Sequence, residues 1–167
     1  MDTAVLGGGC FWCLEAAYKR FEGVVAAAPG FGGGSMENPT YKQVCTGETG
    51  HAEIVKIDFD PEIMTYEGLL DIFWKIHDPT TLNRQGQDVG TQYRSIILYR
   101  TVDQKRAAEE SLKKAQSKHK DRIVTEIKPL VKFWPAEEYH KDYYDTHRSE
   151  GYCRLVIAPK LLKLGFE

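Results

Sequence analysis

The stretch "TAVLGGGCFWCLEAAYKRFEGVVAAAPGF" (residues 3–31) contains the pattern that decides the fold of this chain. Its first part, "TAVLGGG" (3–9), is a short apolar run that ends in glycine, which predicts a buried strand. The next part, "CFWCLEAAYKRFEG" (10–23), has apolar residues at steps of three and four, which predicts a helix that Gly23 closes. Because "VVAAAPGF" (24–31) is again typical of a strand, the chain opens with a strand-helix-strand unit.

The rest of the chain extends this unit into a larger mixed fold. Further strands are predicted over 51–60, 93–100 and 123–133. Further helices are predicted over 65–78, 103–118 and 137–147. The C-terminus lacks a clear period, and we expect it to be irregular. The order β-α-β-β-α-β-α-β predicts an α/β fold of the α+β type, with a mixed sheet, helices packed on one face and a ferredoxin-like βαββαβ core.

The composition limits the classes of protein to consider. A length of 167 residues fits a single domain, residues 1–167, and 42% hydrophobic with 28% charged residues is typical of a soluble globular protein. A net charge of −2 gives no reason to expect nucleic acid or an anionic membrane as a partner. The apolar runs fall short of the roughly 20 residues that cross a bilayer, and no signal-peptide pattern follows Asp2. We therefore expect a cytoplasmic monomer, in which four cysteines are free, catalytic or metal-bound.

Cys10 stands where the glycine run meets the predicted helix. A thiol at that position faces unpaired backbone N–H groups, which favour the nucleophilic thiolate. From its position alone, Cys10 is equally compatible with a reactive cysteine and with a buried structural one. Cys13 favours the reactive one, because Cα atoms at i and i+3 of a helix lie about 5 Å apart, within the ~4.4–6.8 Å that a disulfide spans. The C-x-x-C spacing by itself is also compatible with zinc.

Polar residues near the starts of two later strands could act on a substrate together with this thiol. They are Tyr41 in "TYKQVC", His51 and Glu53 in "GHAE", and Asp88 and Tyr93 in "DVGTQYR". Singly, each has a structural explanation, since a strand-edge carboxylate is usually solvated and a loop tyrosine usually packs. Together they include a carboxylic acid and two phenols, which can hydrogen-bond and protonate an oxygen. A redox thiol, an aromatic pocket and proton donors indicate the reduction of an X=O group.

Four segments carry a resemblance to a known family. They are "GGGCFWCLEAAYKRFEGV", "TYKQVCTGETGHAEIVKIDFDP", "IFWKIHDPTTLNRQGQDVGTQYRSII" and "EYHKDYY". In this order, and over nearly the whole chain, they resemble the peptide methionine sulfoxide reductase A family. The resemblance implies a two-layer α/β roll that reduces methionine S-sulfoxide, free or in proteins, without a bound cofactor or metal. It also implies thioredoxin as the reductant, for which dithiothreitol can substitute.

The resemblance further implies a role for each site residue. Cys10 would be the nucleophile, and Glu53 would protonate the sulfoxide oxygen, because a sulfoxide sulfur resists thiolate attack until its oxygen is protonated. The walls around the substrate's S-methyl group would be Phe11 and Trp12. The groups around the sulfoxide oxygen would be Tyr41 and Tyr93, with Asp88 in the same site. The cycle would leave a sulfenic acid on Cys10, which a second thiol converts to a disulfide.

The identity of that second thiol follows from a departure from the family pattern. Many members have glycine at the position of Cys13 and carry resolving cysteines in a glycine-rich tail, whereas the tail "APKLLKLGFE" has no cysteine. We therefore predict that Cys13 is the resolving thiol and that Cys45 and Cys153 are structural. We also expect Cys10 to be open to a shallow cleft.

Three other functions compete with this one. A zinc deaminase would use His51-x-Glu53 with Cys10 and Cys13, although these motifs stand in reversed order. A thioredoxin-like disulfide oxidoreductase would use the C-x-x-C motif alone. A peptide-binding module would recognise oxidised methionine without turnover. Tightly bound zinc would favour the first, and loss of methionine sulfoxide with dithiothreitol as the only reductant would exclude the last.

Overall fold

The strands in residues 1–166, which this computed structural model describes, form one six-stranded sheet and a small hairpin. The sheet strands are β1 (Asp2–Gly7), β2 (Val24–Gly32), β3 (Ala52–Phe59), β6 (Ile96–Tyr99), β7 (Glu126–Pro129) and β8 (Trp134–Pro135). The hairpin strands are β4 (Arg84–Gln85) and β5 (Asp88–Val89). The sheet order is β7-β6-β1-β3-β2-β8, and the sheet is mixed because β6 and β7 run parallel while the other neighbours are antiparallel.

The helices vary widely in length. They are α1 (Phe11–Tyr18), α2 (Tyr41–Val44), α3 (Tyr66–Ile76), α4 (Val102–Gln116), α5 (Tyr143–Thr146) and α6 (Ala158–Lys163). The two longest begin at threonine caps, since Thr65 and Thr101 accept backbone N–H groups of α3 and α4. Within residues 1–166, no helix combines the length and the apolar character needed to cross a membrane.

The predicted fold class is confirmed. The elements β1-α1-β2-β3-α3-β6 form the ferredoxin-like βαββαβ core, with its four strands in the order β6-β1-β3-β2. The predicted strand over 123–133 is shorter than expected, because only Glu126–Pro129 pairs with β6.

Two predictions at the C-terminal end are wrong. The helix predicted over 137–147 is broken into a 3₁₀ turn (Glu138–His140) and α5, with Asp142 between them at a positive φ of 53°. The expected irregular C-terminus is helical instead, because a π-helical segment (Cys153–Ile157) runs directly into α6. Packing stabilises this helix, since Ile157 and Leu161 are buried in the main core.

Side chains of β3 point alternately to the two faces of the sheet, and each face has its own apolar cluster. Val55, Ile57 and Phe59 belong to the main core, which includes the buried residues of α1 and α3. Ile54 belongs to a smaller cluster that also contains Val5. Because successive side chains point to opposite faces of a sheet, Glu53 projects to the same face as Val55, where α1 lies.

The antiparallel pairing brings the ends of four strands to one edge of the sheet. The ends of β1 and β2 lie beside the starts of β3 and β6, because β1 is antiparallel to both β3 and β6 and β2 is antiparallel to β3. Cys10 follows β1, Tyr41 follows β2, Glu53 is the second residue of β3, and Tyr93 precedes β6. The topology therefore gathers these four side chains at one end of the fold.

Gly34, which lies after β2 and against the segment before β3, provides a test of how tightly the backbone is packed at this end of the sheet. A Cβ atom at Gly34 would lie only 2.6 Å from the carbonyl oxygen of Thr49, so Gly34→Ala forces two backbone segments apart. We expect a loss of about 1–3 kcal/mol in the free energy of unfolding, measured by urea denaturation. Gly151→Ala is the matched control, because nothing lies within 4 Å of its added Cβ. Equal stability of the two variants would contradict the packing described.

Candidate active site

Cys10 and Cys13 lie within a single turn at the start of α1. Cys10 is the N-cap residue, with an extended backbone (φ −67°, ψ 128°), and the Cys13 N–H donates to the Cys10 carbonyl at 3.1 Å. Each cysteine is only 6% exposed, and neither forms a disulfide in this structure. The predicted position of Cys10 at the first turn of a helix is confirmed.

The expectation that Cys10 is open to a cleft is wrong. Cys10 is buried in the main core, against which Trp12 and Tyr152 pack, with 5.9 Å between the centroids of these two rings. A cavity of about 630 Å³ lies instead beside His77, Gln85 and Lys160, none of which is a predicted site residue.

The surroundings of the two thiols act on them in opposite directions. Burial raises the pKa of the Cys10 thiol well above its ordinary value, and this outweighs the Trp12 N–H group, which lowers it. The neighbouring Cys10 thiol, as a hydrogen-bond donor, lowers the pKa of Cys13. The helix terminus therefore contributes as expected, but burial keeps the resting Cys10 in its thiol form.

Glu53 is tied to the first turn of α1 and keeps one oxygen free. It is 1% exposed, its Oε1 accepts the Phe11 N–H at 3.1 Å, and its buried Oε2 has no hydrogen-bond partner among the described residues. Burial raises the pKa of Glu53 to about 8, although the Phe11 N–H lowers it. At neutral pH the carboxyl is therefore protonated, and its unpartnered oxygen is available to a ligand.

The two predicted tyrosines are held by their backbones at the same edge of the sheet. Tyr41 is the first residue of α2, and its N–H donates to the two carboxylate oxygens of Glu137 at 3.1 and 3.2 Å. The Tyr93 carbonyl accepts the Gly9 N–H at 3.2 Å, next to Cys10. Burial and the nearby Glu53 carboxyl raise the pKa of both tyrosines, so both phenols stay protonated and can donate.

Asp88 belongs to the same group of residues. It lies in β5, and its Oδ2 accepts the Tyr152 hydroxyl at 2.6 Å. Its negative charge contributes to the raised pKa of Glu53.

Phe11 and Trp12 form an aromatic wall of which only one ring reaches the surface. Phe11 is fully buried, with its ring centroid 6.0 Å from that of Tyr41, whereas Trp12 is partly exposed. Trp12 stacks on Tyr143 at 3.7 Å with 6° between the ring planes. The Trp12 indole N–H donates to Nδ1 of His140 at 3.0 Å, which fixes the direction of the ring.

Sequence reasoning missed four residues of this site: Glu137, His140, Tyr143 and Tyr152. The segment "EYHKDYY" is one of the four that carry the resemblance, but its residues are predicted only to form a short helix, although so many rings are unusual for a solvated helix face. That density of aromatic side chains was the available signal. Tyr152 follows a glycine at the start of the C-terminal helix, and nothing in its sequence context indicated a role.

His51 and Cys153 lie outside the proton-donor group, whereas Cys45 lies beside Tyr41, whose hydroxyl lowers the pKa of the Cys45 thiol although burial raises it overall. Nδ1 of His51 accepts the Gly34 N–H at 3.1 Å and its Nε2 lies 2.7 Å from the Met36 carbonyl oxygen, so this ring fastens a loop. Over residues 1–166, no group of three or more His, Cys, Asp or Glu side chains is arranged to hold a metal ion. Cys45 is exposed, contrary to its expected packing role, while Cys153 is fully buried as a structural cysteine would be.

Comparisons with known proteins agree with this geometry. The family model described as peptide methionine sulfoxide reductase matches residues 2–165. The peptide methionine sulfoxide reductase MsrA of Sulfolobus acidocaldarius is 58% identical over 98% of this chain and 93% of its own length. The MsrA of Saccharolobus solfataricus is 56% identical over 98% of this chain and 92% of its own.

Solved structures show the same fold. The reduced form of Mxr1 from Saccharomyces cerevisiae superposes with a TM-score of 0.87 at 34% identity, over 91% of this chain and 88% of that one. Methionine sulfoxide reductase A of Corynebacterium diphtheriae gives a TM-score of 0.81 at 36% identity, over 88% of this chain and 75% of that one. The sequence match over nearly the full length and the shared fold lead to one conclusion: this chain belongs to the peptide methionine sulfoxide reductase family.

Proposed function

We propose that this protein reduces methionine S-sulfoxide, free or within proteins, with Cys10 as the nucleophile and Glu53 as the acid. One observation carries the proposal. The buried Glu53 carboxyl is bonded through Oε1 to the residue next to Cys10 and has a free Oε2. With its pKa raised to about 8, this carboxyl holds a proton at neutral pH and is positioned to give it to an oxygen bound near Cys10.

The first step transfers the oxygen atom from substrate to enzyme. Glu53 donates its proton to the sulfoxide oxygen, to which the phenols of Tyr41 and Tyr93 donate hydrogen bonds. The Cys10 sulfur attacks, the sulfur–oxygen bond of the substrate breaks, and a new one forms on Cys10. The thiol proton of Cys10 passes to Glu53 and replaces the proton that Glu53 donated. Methionine leaves reduced by two electrons, and Cys10 becomes a sulfenic acid, oxidised by two.

The second step restores the thiol of Cys10. The Cys13 thiol attacks the sulfenic acid, so that a Cys10–Cys13 disulfide forms and water leaves. The backbone hydrogen bond between these residues already closes the turn that such a disulfide needs. A dithiol reductant then reduces the disulfide, with thioredoxin as the proposed partner and dithiothreitol as a substitute.

The partly exposed Trp12 ring supports a methyl-bearing substrate. Trp12 presents a partly exposed ring that is held by stacking on Tyr143 and by His140, so that an S-methyl group has a rigid apolar surface to pack on. Tyr152 packs edge-on against Trp12 and donates to Asp88 at 2.6 Å, so Asp88 is tied to the same aromatic group. The proposal further includes a cytoplasmic, single-domain monomer that uses no cofactor, metal, nucleic acid or membrane.

The decisive experiment is a turnover assay on the separated sulfoxide epimers of a short peptide, with dithiothreitol as the only reductant. We expect reduction of the S epimer, with the R epimer unchanged, because a pocket of fixed aromatic rings presents the oxygen of only one epimer to Glu53. A peptide-binding module would bind the peptide and leave both epimers intact, and that result would rule out the proposed reaction.

Glu53→Gln tests the acid. The amide can still accept the Phe11 N–H, but it has no proton to donate, so we expect the single-turnover rate to fall by about 10²–10⁴ with little change in substrate affinity. The ratio of the wild-type rate to the variant rate should stay constant at lower pH and fall as the pH rises through about 8, since only the wild type loses an acid there. The ratio is used instead of the wild-type rate alone because both enzymes keep the Cys10 thiol, and its titration changes both rates. A ratio that does not change with pH would remove Glu53 from the acid role.

Cys13→Ser tests the resolving thiol. The variant should convert about one equivalent of methionine sulfoxide per enzyme and then stop with Cys10 as a sulfenic acid, measured by mass spectrometry and by turnover with thioredoxin. Cys45→Ser and Cys153→Ser are the matched controls, since one removes an exposed thiol and the other a buried one. Normal turnover of Cys13→Ser, together with arrest of either control, would show that the resolving thiol is misassigned.

A further inference from the structure

Glu15 is a buried carboxylate on the catalytic helix that the proposed chemistry does not use. It lies one turn after Trp12 in α1 and is 2% exposed. Its Oε2 accepts the backbone N–H of Asp142 at 3.0 Å. Burial raises the pKa of Glu15 to about 7, while the N–H groups of Asp142 and Tyr143 lower it. Burying a carboxyl group costs free energy unless it is hydrogen-bonded, so its hydrogen-bond partner, the Asp142 N–H, is important to its position.

That partner is a strained residue next to the pocket. Asp142 has a φ of 53°, in the left-handed region that residues other than glycine rarely adopt. It directly precedes Tyr143, whose ring stacks on Trp12 at 3.7 Å. A residue held at this φ turns the chain from the 3₁₀ segment, which carries His140, into α5. The Glu15 carboxylate therefore binds the chain at Asp142, where it bends just before Tyr143.

Other contacts between α1 and this segment differ in kind from the Glu15 contact. Lys19 pairs with Asp142 at 2.6 Å, and Arg20 pairs with Asp145 at 2.7 Å. The Asp142 side chain is 62% exposed, so its pair with Lys19 contributes little to stability, whereas the Arg20–Asp145 pair is partly shielded, with side chains 16% and 28% exposed. A buried carboxylate that accepts a backbone N–H gives a more rigid contact, because losing it leaves a shielded donor unpaired.

We propose that Glu15 is a positioning residue for the sulfoxide pocket. Its carboxylate holds the bend at Asp142, the bend holds Tyr143 against Trp12, and the fixed Trp12 ring binds the methyl-bearing end of the substrate. This inference rests on the proposed function, because it assigns Trp12 to the substrate pocket. It goes further by assigning substrate affinity to a side chain that does not itself contact the substrate.

The test measures binding separately from chemistry. In a Cys10→Ser background, which cannot turn over, calorimetry gives the Kd of a peptide that contains methionine S-sulfoxide. We expect Glu15→Ala to weaken binding about tenfold, and Glu15→Gln, which keeps an acceptor oxygen, to stay within threefold of its parent. In the enzyme with Cys10 intact, Glu15→Ala should raise KM about tenfold and change the single-turnover rate at saturating substrate less than twofold.

Two controls separate positioning from a general loss of stability. Glu138→Gln removes an exposed ion pair with Lys141 in the same segment, and Ile72→Ala destabilises the core at α3, so each should bind the peptide within twofold of its parent. Asp142→Gly in the Glu15→Ala background should recover at least threefold of the lost affinity, because glycine adopts a positive φ without strain. If Glu15→Ala does not fold, Glu15→Asp replaces it, with an expected loss of threefold or more.

The outcomes are distinct. Unchanged binding in Glu15→Ala, equal loss in Glu15→Gln, or equal loss in Ile72→Ala would each overturn the positioning role. Absence of reduction by the wild-type enzyme would instead overturn the proposed function, while the Kd values of the variants would still report on the positioning of Trp12.

Discussion

The hydrogen bond from the Phe11 N–H to Glu53 Oε1 joins the first turn of α1 to the start of β3, and the candidate site is built around it. It requires that the end of β1 and the start of β3 lie side by side, which the antiparallel register of Leu6 with Val55 provides. The same register turns Glu53 toward the helices. The acid and the thiol are thus brought together by the sheet itself, and the loops add Tyr41 and Tyr93 around them.

Burial at this junction raises the pKa of both Glu53 and Cys10, but the consequences for their reactivity are opposite. A carboxyl removed from water keeps its proton, which makes Glu53 an acid at neutral pH, but a thiol removed from water also keeps its proton, which makes Cys10 a weaker nucleophile at rest. The two groups can act together only when a substrate oxygen takes up one of these protons. In the proposed mechanism, activation of Cys10 would therefore depend on the arrival of substrate.

Much of this arrangement could be predicted from the sequence, and what could not has identifiable causes. An apolar run located β1, the recurrence of apolar residues at steps of three and four located α1, and alternation located β3, because all three elements are largely buried. The break at Asp142 was missed because the Asp142 N–H has its acceptor on Glu15, 127 residues away in the chain, which a local pattern does not reveal. The C-terminal helix was missed because its amphipathic pattern is interrupted by a π-helical segment, which shifts the period.

The short turn between Cys10 and Cys13 has a consequence for the lifetime of the enzyme. In the proposed cycle the sulfenic acid forms within one turn of the thiol that removes it, so the two groups react at a high effective molarity. Peroxide that would oxidise the same sulfur irreversibly to a sulfinic acid must arrive by diffusion and enter a site whose cysteine is 6% exposed. The geometry that speeds recycling therefore also protects the catalyst from the oxidants whose damage it repairs.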